Sequence, residues 1–200
     1  MTSRYLSSAA VGASLLCGVA MGGVTVTNNQ SLWNWRVTNG GQVVGTESFN
    51  SFAGFYTTVS STLGGTTWTA SAPNGLYDSL GYMSTNLPDD ALTFTFSPGV
   101  RAVAGNIFGT DIAFNPVTCI VNVTLSNGTS YEGFTSGPGD FVGFYSSSAD
   151  ITSLSIAAVP LKSGAGVYAT IDNLYLAVPA PGAAALIGLA GLNSRRRRSP

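Results

Sequence analysis

The chain has 200 residues, of which 44% are hydrophobic and only 8% are charged, and it contains no histidine. All nine acidic residues but only three basic ones, Arg36, Arg101 and Lys162, lie between residues 24 and 180, so this segment has a net charge of −6. Three bases cannot neutralise a row of phosphates, which argues against nucleic-acid binding, and the length fits one domain with appendages.

Residues 1–23 have the pattern of a signal peptide. Arg4 provides the positive start, residues 6–20 form a moderately apolar run, and small residues precede a cleavage point after Ala20; a cut after Gly22 or Gly23 also fits. Because the run is short for a membrane span, we predict a signal helix that is cleaved after export by the Sec machinery. Cleavage leaves Cys119 as the single cysteine, which we predict to be a buried small hydrophobe.

Residues 24–177 are predicted to form an all-β domain, an antiparallel β-sandwich or jelly roll of nine or ten short strands. Apolar and polar residues alternate between turn-forming residues, as is typical of strands. The runs that carry this pattern are SLWNWRV (31–37), ALTFTF (91–96), FVGFYS (141–146), ITSLSIAAV (151–159) and VYATIDNLYLAV (167–178). The clearest hairpin joins CIVNVTL to SYEGF through Asn127 and Gly128, which we expect to supply the positive φ angles of a tight turn. The segment GTDIAFNPVT (109–118) is predicted to be a loop.

No pattern in the chain predicts catalytic activity. Asp89 and Asp90 follow Pro88 and are typical of a solvated turn, and Glu132 and Asp140 are a weak candidate for a carboxylate pair. No phosphate-binding loop, nucleophile elbow or zinc-ligand spacing is present. We therefore expect a protein that is not an enzyme.

Aromatic residues are the candidates for a saccharide site. The alternation places Trp33 and Trp35 on the same buried face as Val37, and Trp68, flanked by threonines, is also expected to be buried. Tyr77 and Tyr82, in the glycine-containing segment NGLYDSLGY, are the better candidates for exposed, ligand-binding aromatics. Their partner would be an extracellular polysaccharide.

The last predicted strand raises the question of a metal site. Asp172 and Asn173 have opposite phase, so one polar side chain points inward whichever face is buried. A buried carboxylate is costly unless it is paired or bound to a metal. Asp172 resembles the aspartate that holds a structural calcium in carbohydrate-binding jelly rolls, and Glu47 is its candidate partner. The favoured alternatives are a β-bulge whose side chains bond to the backbone, or a strand end in solvent.

Residues 178–200 form a tail with three parts. Val178, Pro179, Ala180 and Pro181 form a proline motif that ends the last strand, and an apolar run follows from residue 182 to residue 192. The chain then carries Arg195, Arg196, Arg197 and Arg198. If the run is helical, it could just cross a bilayer with the arginines on the cytoplasmic side. The tail is therefore expected to hold an exported chain transiently in the membrane, with its folded body outside.

This order of parts resembles the PEP-CTERM sorting signal of bacterial exported proteins, also known as the ice-binding protein C-terminal motif. The body is similar to that of planctomycete-like members with a β-sandwich, through phrases such as GTTWTA, ALTFTFSPGVRAVAGNIFGTD and a closing DNL strand. The resemblance implies recognition and cleavage near the proline motif by an exosortase, a membrane cysteine transpeptidase; Ala180 replaces the usual glutamate. The ice-binding name is a label on the tail and does not imply ice activity in the body. We expect a cell-surface or extracellular-matrix protein, with a carbohydrate-binding module of jelly-roll type as the alternative.

Overall fold

The computed structural model describes residues 23–40, 42–79, 81–162, 164 and 166–179. The predicted signal peptide with its cleavage point at Ala20, and the tail from Ala180 to the arginine cluster, lie outside these residues. Among the described residues, no helix has the length and apolar character needed to span a membrane.

The described residues are 60% strand and 7% helix, which confirms the all-β prediction. The helix is α1 (Gln30–Asn39). The strands are β1 (Val24–Thr27), β2 (Gln42–Glu47), β3 (Gly54–Leu63), β4 (Thr66–Ser79), β5 (Tyr82–Thr85), β6 (Leu92–Phe96), β7 (Ala102–Thr110), β8 (Pro116–Val117), β9 (Cys119–Leu125), β10 (Ser130–Thr135), β11 (Phe141–Ser146), β12 (Ser153–Pro160) and β13 (Tyr168–Pro179).

The strands form one antiparallel, nearly closed sheet. Its order is β1-β11-β7-β13-β5-β4-β6-β12-β9-β10, while β2 pairs with β13, β3 with β4 and β8 with β7. The segment predicted to be a loop differs in detail, because its first two residues belong to β7 and residues 116–117 form β8. The last strand also continues through Val178 and Pro179, which pair with Val43 and Gln42 of β2, two residues beyond the expected end of the body.

The inner face of the sheet encloses the main core. Apolar and polar side chains alternate along β4, β6, β9 and β12, and the apolar ones, such as Trp68, Phe94 and Leu154, are fully buried. Cys119 also lies in this core, where burial raises the pKa of its thiol to about 11. The expected role of Cys119 as a buried hydrophobe is confirmed.

The first predicted strand, SLWNWRV, is wrong: these residues belong to helix α1. Trp33 and Val37 are four residues apart, so they share a helical face as well as a strand face, and both are buried. Trp35 was expected to be buried with them, but it points the other way and is 62% exposed. The side chain of Asn29 caps the helix by accepting a hydrogen bond from the Leu32 N–H at 2.9 Å.

Helix α1 packs on the outer face of the sheet through Trp33. The indole lies over Gly143 of β11, where a Cβ atom would come within 2.5 Å of its ring. Its Nε1–H donates to the carbonyl oxygen of Phe144 at 3.0 Å, so the buried polar atom is satisfied. Phe141 and Tyr175 surround the ring at centroid distances of 6.0 and 6.2 Å. The sheet therefore holds a second, smaller core on its outer side.

The hairpin between β9 and β10 is confirmed. The Gly128 N–H donates to the Leu125 carbonyl oxygen at 3.0 Å, the Leu125 N–H donates to the Thr129 carbonyl oxygen at 2.9 Å, and Gly128 has a φ of 84°. Only the glycine of the pair has positive φ, since Asn127 is not among the residues with that conformation. The turn is thus a three-residue loop with its left-handed residue at Gly128, and not a two-residue turn.

Candidate functional site

A cleft of about 380 Å³ lies between the β4–β5 hairpin, the start of β13 and the loop of residues 111–115. Its volume falls in the range of about 300–1,000 Å³ that is usual for small-molecule sites. Tyr77 and Tyr168, together with Phe114 of the loop, provide its aromatic lining, and Asn86 and Asp111 are among its polar groups. The cleft therefore combines aromatic surface with amide and carboxylate groups, a combination that suits a saccharide ring.

Tyr77 and Phe114 form the aromatic side of the cleft. Tyr77 lies on β4 and is 40% exposed, and its ring is 5.8 Å from that of Phe114, with an angle of 46° between their planes. Phe114 has a φ of 61°, which is unusual for a bulky residue. Ile112, at 82% exposure, lies beside them in the same loop. The loop thus presents apolar surface next to a half-exposed tyrosine.

The carboxylate of Asp111 holds this loop in shape. It accepts hydrogen bonds from the backbone N–H groups of Ala113 at 2.8 Å and Asn115 at 3.0 Å, and from the Asn115 side-chain amide. The side-chain bond from Asn115, followed by the backbone bonds, lowers the pKa of Asp111. Asp111 therefore stays ionised at neutral pH and fixes the position of Phe114.

Two residues of β5 with hydroxyl side chains, Ser84 and Thr85, are among the residues that line the cleft. Ser84 Oγ and Thr170 Oγ1 are 2.9 Å apart, and Thr170 Oγ1 is 2.9 Å from Thr110 Oγ1, so these buried groups satisfy one another. Thr85 is different, because it is only 2% exposed and its Oγ1 has no hydrogen-bond partner among the described residues. Thr85 lies opposite the core residue Leu76 in the β4–β5 pairing, so its hydroxyl is buried on the inner side of the sheet.

Only one of the two candidate tyrosines lies in the cleft. Tyr82 packs edge-on against Phe108, with ring centroids 5.2 Å apart, and is not among the cleft residues. Trp68 is buried as expected. Sequence reasoning missed Phe114 and Asp111, since nothing local to the segment GTDIAFNPVT showed that it folds back over Tyr77. Only the spacing of Asp111 and Asn115 indicated a side-chain-capped turn.

A β-bulge in β13 determines which faces Asp172 and Asn173 occupy. The register between β13 and β7 shifts between Asp172 and Leu174, and Asn173 has a φ of 51°. The extra residue lets Ile171 and Leu174 both point into the core, so neither polar side chain has to. Burial still raises the pKa of Asp172, while the N–H of Asn173 acts in the opposite direction. The bulge that was favoured over a metal ligand is therefore present.

Glu47, the proposed partner of Asp172, lies opposite Leu174 in the β2–β13 pairing and accepts a hydrogen bond from the Phe49 N–H at 3.0 Å. Within the described ranges, no group of three or more Asp, Glu, Cys or His side chains is close enough to hold a metal ion.

The charge of Glu47 acts on Asp78, a residue that was not selected from the sequence. Asp78 is 2% exposed, and both its carboxyl oxygens lack partners among the described residues. Burial first, and the charge of Glu47 second, raise its pKa to about 7.

The other carboxylates considered from the sequence serve local structure. Asp90 accepts hydrogen bonds from the backbone and side chain of Asn74. Burial opposes the ionisation of Asp140, but hydrogen bonds from Ser136, Thr135 and Gly137 outweigh it and lower its pKa. The bonds to Asp140 are all accepted by Oδ2, which holds the turn between β10 and β11 in place.

Comparison of the chain with family models, with curated proteins and with solved structures found no match. The interpretation of the cleft therefore rests on its own residues.

Proposed function

We propose that the chain is an exported cell-surface or extracellular-matrix protein without catalytic activity, with a body of sandwich or jelly-roll type. The observation that carries this proposal is the order of the tail: the proline motif from Val178 to Pro181, a short apolar run, and Arg195 to Arg198 at the chain end. Arginines behind a short apolar run favour a transient stop in the membrane with the body outside. An exosortase-type transpeptidase is the proposed partner for its release.

The described part of the last strand is compatible with cleavage at this motif. Strand β13 is described as far as Pro179, and its pairing with β2 reaches the same residue. A cut near Pro181 would lie on the C-terminal side of these residues, so sorting would release the body with the described part of β13 in the sheet.

The experiment for this proposal combines cell fractionation with intact mass. Replacing the four arginines from Arg195 to Arg198 with glutamine should leave unprocessed chain or send it to the wrong fraction, because the stop loses its cytoplasmic charge. Lys162→Gln, which changes an exposed base in the body, is the control and should be processed normally. Unchanged fractionation and unchanged mature mass in the arginine variant would contradict the proposal.

A second candidate function is saccharide binding by the body, and the cleft beside Tyr77 favours it. Half-exposed aromatic rings next to amide and carboxylate groups are the surface that a sugar ring requires, with its apolar C–H face and its polar rim. A binding module should be retained on a polysaccharide resin and eluted by free sugar. A purely structural surface protein would pass through.

A further inference from the structure

The charge of the cleft distinguishes between classes of saccharide. Among the described residues that line it, Asp111 is the ionisable acid and no Lys or Arg is present. The arginines of the body are engaged elsewhere: Arg101 pairs with Asp150 at 2.9 Å, and Arg36 donates to Thr25. A ligand carboxylate or sulfate would therefore meet the negative charge of Asp111 without a cation among the cleft residues to offset it.

The hydrogen-bonding groups of the cleft suit neutral hydroxyls. Asp111 Oδ2 accepts only from the Asn115 side-chain amide among the described residues, so this oxygen can also accept from a ligand hydroxyl. The side-chain amide of Asn86 also lines the cleft and can both donate and accept. A polyol can exchange hydrogen bonds with these two groups, whereas an apolar ligand cannot.

The aromatic groups set the shape of the ligand. Tyr77 and Phe114 are tilted by 46° to one another, so the two rings form an angled wall and not a flat platform. A pyranose ring can place its C–H face on Tyr77 while its hydroxyls point to the polar side of the cleft. Phe114 is held in place by the Asp111 hydrogen bonds, so little ordering of the loop is needed on binding.

We infer that this cleft binds uncharged saccharides and discriminates against acidic ones, with Tyr77 as the stacking residue and Asp111 as the source of discrimination. This inference rests on the second candidate function and is independent of sorting by the tail.

The test is isothermal titration calorimetry on the full chain with cellohexaose, mannohexaose and laminarihexaose as neutral probes and hexagalacturonate as the acidic one. At least one neutral probe should bind about tenfold more tightly than hexagalacturonate. Tyr77→Ala should weaken neutral binding about tenfold, while Tyr77→Phe should retain it, because stacking needs the ring and not the hydroxyl. Trp35→Ala, which removes an exposed aromatic on helix α1, is the matched control and should bind like the unmodified chain.

A charge variant separates the two parts of the inference. Asp111→Asn should lower the ratio of neutral-probe affinity to hexagalacturonate affinity at least about threefold. Glu132→Gln, which removes an exposed charge on β10, should leave this ratio unchanged. If hexagalacturonate binds as tightly as the neutral probes, the inference about charge is wrong but saccharide binding stands. If no probe binds, or if binding survives Tyr77→Ala unchanged, the cleft is not a saccharide site; sorting through the tail would be unaffected by either result.

Discussion

The outer face of the sheet is covered by a helix in one region and exposed to solvent in another. In the covered region, helix α1 packs on outward side chains of β7, β11 and β13 that are mostly small or aromatic. In the open region, the outward residues of β3, β4, β6 and β12 form two rows of hydroxyl side chains that remain partly or fully exposed. These rows are Ser60, Thr69, Thr95 and Ser153, and Thr58, Ser71, Thr93 and Ser155.

The difference shows that side-chain choice, and not backbone pairing, decides where the sheet needs a cover. Ala102 and Ala104 expose apolar surface and leave room above the strands, so Trp33 can pack closely on them. In the open region the hydroxyl residues are partly or fully exposed, and some bond to one another, as Ser60 Oγ and Thr69 Oγ1 do at 2.7 Å. The two regions should therefore respond differently to substitution.

The largest effect is expected in the covered region. Trp33→Ala should destabilise the fold by about 3–5 kcal/mol, because it empties the space above Gly143 and removes the hydrogen bond to Phe144. Trp35→Ala, two residues away on the same helix, should change stability by less than about 0.5 kcal/mol. Urea denaturation of both variants is the measurement, and equal losses would mean that α1 does not cover the sheet in this way.

Helix α1 also shows where sequence reasoning reached its limit. The alternation along β6, β9 and β12 predicted those strands correctly, because each has one face in the core and one in water. In SLWNWRV, the two buried residues Trp33 and Val37 are four positions apart. This spacing fits both the strand period of about 2 residues and the helix period of about 3.6 residues. The end signals, Asn29 before the segment and Gly40 after it, were needed to decide for a helix.

The candidate site was only partly predictable for a different reason. Tyr77 could be selected because glycines and polar residues flank it, which favours exposure. Phe114 and Asp111 are distant in sequence and reach Tyr77 only through the pairing of β13 with β5 and β7. Such contacts depend on strand order, which the local pattern does not contain.

Asp78 sharpens the comparison, because it lies on the inner side of β4, whose outer side belongs to the open region. Its pKa rises from 3.8 to about 7, so at pH values below about 4 the carboxyl is protonated in both the folded and the unfolded state. As the pH rises from 4 to 7 the unfolded state releases this proton first, and the folded state loses stability, fully so above pH 7. This rise in the pKa corresponds to a loss of roughly 4 kcal/mol at most in the free energy of unfolding.

Asp78→Asn should remove this loss. At each pH, the free energy of unfolding of the unmodified chain is subtracted from that of the variant. This difference should be about 2–4 kcal/mol larger at pH 8 than at pH 4. Denaturant titrations of both proteins across pH 4–8 provide the measurement. Parallel stability curves would contradict a buried, protonated Asp78.

A substitution at Gly128 tests how much the pairing of strands outside the covered region depends on a tight turn. The hairpin it closes pairs β10 with β9, which in turn pairs with β12 of the open region. Gly128→Val should cost about 1–3 kcal/mol, since a β-branched residue resists a φ of 84°. Gly139→Val is a suitable control because Gly139 has open space around its Cβ position and is not among the glycines of positive φ. Similar thermal unfolding of the two variants would show that the turn does not need this conformation.

The smallest effect is expected in the middle of the open region. Thr95 lies on β6 between Thr69 and Ser153 and is exposed, so Thr95→Val, which keeps the shape and the β-branch, should change stability by less than about 0.5 kcal/mol. Phe94→Ala, one residue away and pointing into the core, is the matched control and should cost about 3–5 kcal/mol. The contrast between adjacent residues measures the difference between the two faces of one strand. A loss above about 1 kcal/mol for Thr95→Val would mean that the hydroxyl row is engaged by another part of the protein, and the distinction between a covered and an open region would fail.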